Sequence, residues 1–71
     1  MTKWEYLIIQ PSEHRNVDKP WTVNGRELRN WKKGPDIYDY INQLGDEGWE
    51  LVNVASAAYI GMRYCFKRPK T

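Results

Sequence analysis

The fold is decided by the stretch Leu44-Gly45-Asp46-Glu47-Gly48-Trp49-Glu50-Leu51-Val52. Gly48 is the residue type that most readily takes the left-handed backbone conformation in which many helices end. Trp49 begins a run of aromatic and aliphatic residues that favours a strand. The stretch therefore predicts a helix that ends at Gly48 and passes directly into a strand that starts at Trp49.

A helical spacing of apolar residues predicts the helix itself. Apolar residues recur at i, i+3, i+4 and i+7, which places them on one face of a helix. These residues are Ile37, Tyr40, Ile41 and Leu44. Gly34-Pro35-Asp36 is expected to open the helix, with proline at its first position. We expect the helix to continue through Gly45, at a cost of about 0.5–1 kcal/mol relative to alanine.

The first predicted strand covers residues 4–10 and is expected to end at Pro11. Its side chains alternate between two faces, and both faces are apolar over residues 6–9, which is typical of a central strand covered on both sides. One face carries Trp4, Tyr6 and Ile8, and the other carries Glu5, Leu7 and Ile9.

The last two predicted strands cover residues 49–55 and 59–67, and we expect them to pair as a hairpin. Ser56-Ala57-Ala58 is interpreted as a tight connection or a bulge between them. In the final strand, four bulky residues alternate with five others. The bulky residues Ile60, Met62, Tyr64 and Phe66 are expected to meet the helix, and the opposite face carries Tyr59, Gly61, Arg63, Cys65 and Lys67.

Between the first strand and the helix lies an inserted segment, residues 11–34. Residues 11–20 are polar and contain two prolines, which predicts a loop and the most mobile part of the chain. Residues 21–28 surround Asn24-Gly25, the residue pair that type I′ turns prefer, and this predicts a hairpin. The whole pattern predicts one α+β domain over residues 1–71, in the order β-(β-hairpin)-α-β-β, with the helix on one face of an antiparallel-rich sheet.

Charge is distributed unevenly along the 71 residues, whose formal net charge is +2. Residues 13–33 contain six basic and three acidic side chains, residues 36–50 contain five acidic and no basic ones, and residues 63–70 contain four basic ones. Such segregation favours oriented contact with a partner, or head-to-tail contact between copies. The alternative interpretation is that these charges only coat solvent-facing surfaces.

A cytoplasmic location is expected. Cys65 is the single cysteine, so an internal disulfide is excluded and a reducing compartment is favoured. The N-terminus lacks the apolar run of a signal peptide, and no apolar stretch approaches the length of a membrane span.

The residues that most often perform chemistry do not form a catalytic or metal-binding pattern. Glu5 and Glu50 are each in a predicted strand, and we expect them to face solvent or Arg63 rather than act as an acid–base pair. His14 and Cys65 are single representatives of their types, whereas a zinc site needs several such ligands at fixed spacing. We therefore expect no cofactor, no metal and no enzymatic activity.

Two binding functions remain open. In the first, the chain is a non-catalytic protein-interaction module that binds another protein or a second copy of itself. Its second sheet face is expected, depending on register, to show Leu7, Ile9, Tyr59 and Cys65. That face must be covered by another chain or by the insert residues Trp21, Val23, Leu28 and Trp31. In the second, the basic and aromatic insert binds single-stranded nucleic acid or another anionic ligand. The residues expected to bind are Trp21, Arg26, Arg29, Trp31, Lys32 and Lys33.

The chain also resembles a family of small bacterial domains of unknown function. Three pieces carry the resemblance: Trp4-Glu5-Tyr6, the junction Leu44–Val52, and Phe66-Lys67-Arg68-Pro69. Members of that family combine an aromatic-rich first strand, a Glu-Gly-Trp-Glu-Leu-Val junction and a Lys-Arg-Pro ending. The resemblance implies a helix packed on a small antiparallel sheet, and it implies no activity. Residues 11–34 are longer than the corresponding connection in the family.

Overall fold

Five antiparallel strands and one helix make up the computed structural model, which describes residues 1–57 and 61–71. The strands are β1 Trp4–His14, β2 Val17–Val23, β3 Arg26–Glu27, β4 Glu50–Ala57 and β5 Gly61–Pro69, and the helix α1 is Ile37–Asp46. Their order across the sheet is β3-β2-β1-β5-β4. This arrangement confirms the predicted α+β class. Part of the last predicted strand, including Tyr59 and Ile60, lies outside the described residues.

Helix α1 starts at an aspartate cap. The carboxylate of Asp36 accepts a hydrogen bond of 2.8 Å from the backbone N–H of Asp39, which satisfies one of the amide groups that a helix leaves unpaired at its start. Pro35 precedes this cap, so the prediction of proline at the first helical position is wrong. The aspartate takes the capping position because its side chain supplies an acceptor, and proline supplies none.

At the other end, α1 closes with a Schellman motif around Gly48. Gly48 has a φ of +91°. Its N–H donates to the carbonyl of Gly45, and the N–H of Trp49 donates to the carbonyl of Leu44, both over 3.0 Å. These two bonds satisfy carbonyls that the end of the helix would otherwise leave unpaired. The predicted cap at Gly48 and the passage of the helix through Gly45 are confirmed, and strand β4 begins at Glu50.

Arg68 of β5 fixes this helix end to the sheet. Its guanidinium donates a 2.9 Å hydrogen bond to the carbonyl oxygen of Glu47 and lies 4.2 Å from the centre of the Trp49 ring. The same group is 3.4 Å from the carboxylate of Glu5 in β1. A positive charge at a helix C-terminus is favourable because the carbonyls there are partially negative.

The core lies between α1 and the centre of the sheet. It consists of Ile9, Ile37, Leu44 and Phe66, each at most 6% exposed. In the sheet, Leu7 lies opposite Phe66, and Ile9 lies opposite Tyr64. Since directly opposite residues share a face, Leu7 and Ile9 face the helix. The expectation that they belong to the second face is therefore wrong, while Tyr64 and Phe66 meet the helix side as predicted.

The largest difference from the prediction is the segment 11–20, which is not a loop. Strand β1 continues through Pro11 to His14 and pairs with β2, so that the two form a ribbon. The ribbon turns at Arg15 and Asn16, which both have a positive φ, 54° and 64°. That is the backbone of a type I′ turn, made here without glycine.

Two prolines are tolerated in this ribbon because of where they lie. Pro11 is opposite Pro20, next to a register shift between Gln10 and Pro11. Among the described residues, β5 pairs with β1 over Trp4–Ile9, so the ribbon beyond that point has unpaired outer edges. Proline has no N–H to donate, and it is accepted at edges and bulges for that reason. The sequence rule that proline ends a strand is therefore wrong at Pro11.

The second hairpin is where the sequence predicted it. Asn24 and Gly25 form the turn with φ values of 51° and 84°. The Asn24 side chain also accepts a 2.8 Å hydrogen bond from the N–H of Ile8, and its own N–H donates to the Ile8 carbonyl over 2.8 Å. The turn is therefore fixed to the middle of β1, and β2 and β3 extend the sheet sideways.

Two glycines of the junction are expected to respond oppositely to alanine. Gly48→Ala places a side chain at a φ of +91° in open space, so its cost is backbone strain of about 1–2 kcal/mol. Gly45→Ala adds a methyl group within the helix, also in open space, and stabilises by about 0.5–1 kcal/mol. Urea unfolding of the two variants measures both effects, and two shifts of the same sign would contradict this account of the cap.

Candidate functional site

The face of the sheet opposite the helix carries an exposed apolar row, which we call the open face: Trp4, Tyr6 and Ile8. Their exposed fractions are 40%, 63% and 41%. Alternation along β1 directs these three side chains away from Leu7 and Ile9. In the sheet they lie opposite Pro69, Lys67 and Cys65 of β5. Two aromatic rings and one isoleucine thus remain in contact with solvent on a single strand.

The insert does not cover this row, although covering was one of the two alternatives. Val23 packs against the core on the helix side. The indole N–H of Trp21 donates to the carboxylate of Glu27 over 3.1 Å, and Trp31 makes an edge contact with His14 at 6.2 Å between ring centres. The hairpin lies beside β1 because its strands pair with it, and strand pairing extends a sheet without covering it.

The open face carries both signs of charge. Lys67 lies opposite Glu50 on one side and opposite Tyr6 on the other, so all three share this face. The ammonium of Lys67 is 4.4 Å from the centre of the Trp4 ring, which is within the range of a cation–π contact. Glu5 lies opposite Arg68, one residue further along β5, and therefore on the helix side. The carboxylates of Glu5 and Glu50 are on opposite faces and form no pair.

The insert residues predicted to bind an anion are only partly gathered. Trp31, Lys32 and Lys33 form a short 3-10 turn and, with Glu27 and Asn30, line a shallow cleft of about 310 Å³. The ammonium of Lys32 is 5.7 Å from the Trp31 ring centre. Trp21 is half-buried and bonded to Glu27 instead, while Arg26 and Arg29 are exposed.

A cluster of positive charge surrounds His14, the single histidine. Partial burial lowers the pKa of His14 below its usual 6.5, and the nearby charges of Arg15, Lys32 and Lys19 lower it further. Lys19 also donates a 2.6 Å hydrogen bond to the carbonyl of Gly34. Arg15 and Lys19 belong to the segment that the sequence assigned to a loop. The ribbon brings them near His14, whose pKa Lys32 also lowers, so the sequence analysis missed this cluster.

The sequence places Trp4, Tyr6 and Ile8 on one face of β1, but it does not identify that face as the exposed one. Period-two alternation grouped Trp4, Tyr6 and Ile8 but left undecided which side of β1 meets the helix. That choice depends on the register with β5, in particular on Leu7 lying opposite Phe66. An all-apolar stretch such as residues 6–9 contains no polar residue that marks the exposed side.

Other sites and the comparisons with known proteins give little further information. Within residues 1–57 and 61–71, no three His, Cys, Asp or Glu side chains come together as a metal site requires. No helix of the described part of the chain is both long and apolar enough to span a bilayer. No family model, curated protein or solved structure matches the chain. The resemblance to the family of small bacterial domains stays a prediction.

The charge cluster makes a testable prediction about His14. Lys32→Met removes one of the cations that lower its pKa, so the pKa of His14 should rise toward 6.5. Lys33→Met is the matched control and should leave it unchanged. Because the pKa of His14 is lowered in the folded state, its contribution to stability is fully present above pH 6.5. That contribution is lost as the pH falls from 6.5 through the pKa of the folded state. An NMR titration of the single imidazole measures both variants, and equal values for the two would contradict the assignment.

Proposed function

We propose that the chain is a non-catalytic protein-interaction module that self-associates by packing the open face of one copy on the open face of another. The observation that carries this proposal is the exposed row of Trp4, Tyr6 and Ile8 on the face opposite the helix. Large contiguous apolar patches are uncommon on monomeric proteins and mark interaction surfaces when they occur. Tryptophan and tyrosine are also the residue types most enriched among the residues that dominate binding energy at interfaces.

The charge distribution of the open face favours a second copy of the chain over a partner that is strongly acidic or strongly basic. Elsewhere the chain separates its charges into basic and acidic segments. The open face instead carries Glu50 and Lys67 as direct cross-strand neighbours beside the apolar row. A copy related by a two-fold axis presents the same surface. Its apolar row can pack on the apolar row of the first copy, and both signs of charge lie at the rim of the contact.

A second candidate function is binding of single-stranded nucleic acid or another anion at the cluster formed by His14, Arg15, Lys19, Trp31 and Lys32. The environment of His14 supports it: burial is the main cause of its lowered pKa, and the positive charges of Arg15, Lys32 and Lys19 lower that pKa further. A bound oligonucleotide would bring negative charge to the same place. It would raise the pKa of His14 and quench tryptophan fluorescence, most strongly at low salt. No change in either quantity at low salt would exclude this candidate.

The main proposal is tested by substituting the most exposed residue of the open face. Tyr6→Glu places a carboxylate opposite Lys67, which the folded monomer accommodates, but burying that carboxylate in an interface is costly. We expect self-association to weaken by about 100-fold or more, since a two-fold interface loses two tyrosines. Sedimentation velocity from about 1 µM to about 1 mM covers the relevant affinities.

Tyr38→Glu is the matched control. Tyr38 is 74% exposed but lies in the first turn of the helix, away from the open face. It should self-associate like the unmodified chain. Cys65, which lies opposite Ile8, gives a second readout because its reaction with a thiol reagent should slow as protein concentration rises. An unmodified chain that stays monomeric at the highest concentration, or a Tyr6→Glu variant that still assembles, would refute the proposal.

A further inference from the structure

The two edges of the sheet are built differently. At one edge, β3 has two residues, Arg26 and Glu27, both charged and exposed. At the other edge, β4 has eight residues, Glu50–Ala57, of which Glu50 is the single charged one. Natural proteins protect sheet edges with short strands, prolines or charges. Strand β3 has such protection, and β4 has none along Leu51–Ala57 apart from a bulge at its beginning.

The outer side of β4 offers a regular backbone to a further strand. Its register with β5 shifts between Leu51 and Asn53, and from Asn53 to Ala57 the pairing is continuous. Among the described residues, β5 is the strand that pairs with β4. Because backbone groups alternate in direction along a strand, part of those of residues 53–57 point away from β5. All described side chains from Glu50 to Ser56 are exposed, including Leu51 at 40% and Val54 at 46%.

We propose that the outer edge of β4 pairs with β4 of a second copy of this chain, in antiparallel orientation, so that two five-stranded sheets join into one. A strand contact of this length buries less than the roughly 1,000 Å² that a stable interface needs. The inference therefore rests on the proposed function: packing through the open face brings copies together, and the β4 edge joins them further.

Charge and symmetry both favour a second copy in this orientation. Antiparallel pairing places the two Glu50 carboxylates at opposite ends of the contact, whereas parallel in-register pairing would place them about 5 Å apart. A two-fold axis perpendicular to the sheet requires each residue of β4 to lie opposite a residue of the second copy's β4 whose side chain is on the same face of the sheet. With Val54 opposite Val54 of the second copy, Asn53 lies opposite Ala55, and this rule is met. Val54 then gains an apolar neighbour for its exposed side chain.

Together the two contacts define a closed assembly. The two-fold axis of the β4 contact is perpendicular to the plane of the sheet. The two-fold axis that relates two packed open faces lies parallel to that plane. Perpendicular two-fold axes generate a tetramer with D2 symmetry when they intersect, and the proposal includes that they do. In this tetramer, two ten-stranded sheets pack through their open faces, and the four helices lie on the outside.

The experiment compares three variants by sedimentation velocity at high protein concentration. The unmodified chain is expected at four times its mass of 8.5 kDa. Val54→Lys adds a charge of the kind that protects natural edges, and it should give twice the chain mass. Val17→Lys is the matched control, since Val17 is 40% exposed in the ribbon, and it should give four times the chain mass. Tyr6→Glu should give the chain mass itself.

Failure of the two proposals is distinguishable in this set. An unmodified chain that stops at twice the chain mass, or a Val54→Lys variant that keeps four times it, overturns the β4 contact and leaves the open face in place. Assembly of Tyr6→Glu overturns the open face instead. A second measurement does not depend on Val54→Lys folding: in a Cys65→Ser background, a short bis-maleimide should link Val54→Cys to its own copy and leave Val17→Cys unlinked. Absence of the link overturns the β4 contact.

Discussion

The constraint on which this structure depends is the C-terminal end of helix α1, where the chain turns from a helix into a strand within three residues. Gly48 makes the turn possible because it alone of the local residues takes a φ of +91° without strain. Arg68 then joins the helix end to two strands, through the Glu47 carbonyl, the Trp49 ring and the Glu5 carboxylate. This junction holds the helix on the side of the sheet that carries Glu5 and Arg68. Trp4, Tyr6 and Ile8 alternate with Glu5 and Leu7 along β1 and therefore lie on the other side.

The features that the sequence predicted well are those whose cause is local. The apolar period of α1, the cap at Gly48 and the turn at Asn24-Gly25 each follow from residues close together in the chain, and all three are present. The ribbon around Arg15 and Asn16 has no such local cause. Its two prolines argue against a strand, and its turn places Arg15, a residue type uncommon at positive φ, before Asn16. The ribbon tolerates its prolines because Pro11 and Pro20 lie opposite each other at a bulge, which is a relation between strands that the sequence does not display.

The candidate sites depend on the same distinction. Alternation along β1 is local, so Trp4, Tyr6 and Ile8 could be grouped from the sequence. Which group is exposed depends on the register with Phe66, which is distant in sequence. For the anion candidate, Trp31, Lys32 and Lys33 are adjacent in the chain and could be proposed together. Arg15 and Lys19 join them only through the ribbon, and Trp21 leaves them because Glu27 accepts its indole N–H.

The prolines of the ribbon have a consequence for how far any assembly can grow. A sheet whose two edges can each pair with a strand of another copy has a valence of two, like a bifunctional monomer. Each added copy then leaves a new free edge to which the next copy can pair. Pro11 and Pro20 lie in the protruding ribbon, and Asp18 and Lys19 add charge beside them. With β3 reduced to two residues, the accepting valence of the described sheet is one. A monovalent edge terminates at the first addition, so the two prolines that conceal a strand in the sequence also oppose edge-to-edge growth of the sheet into a fibre.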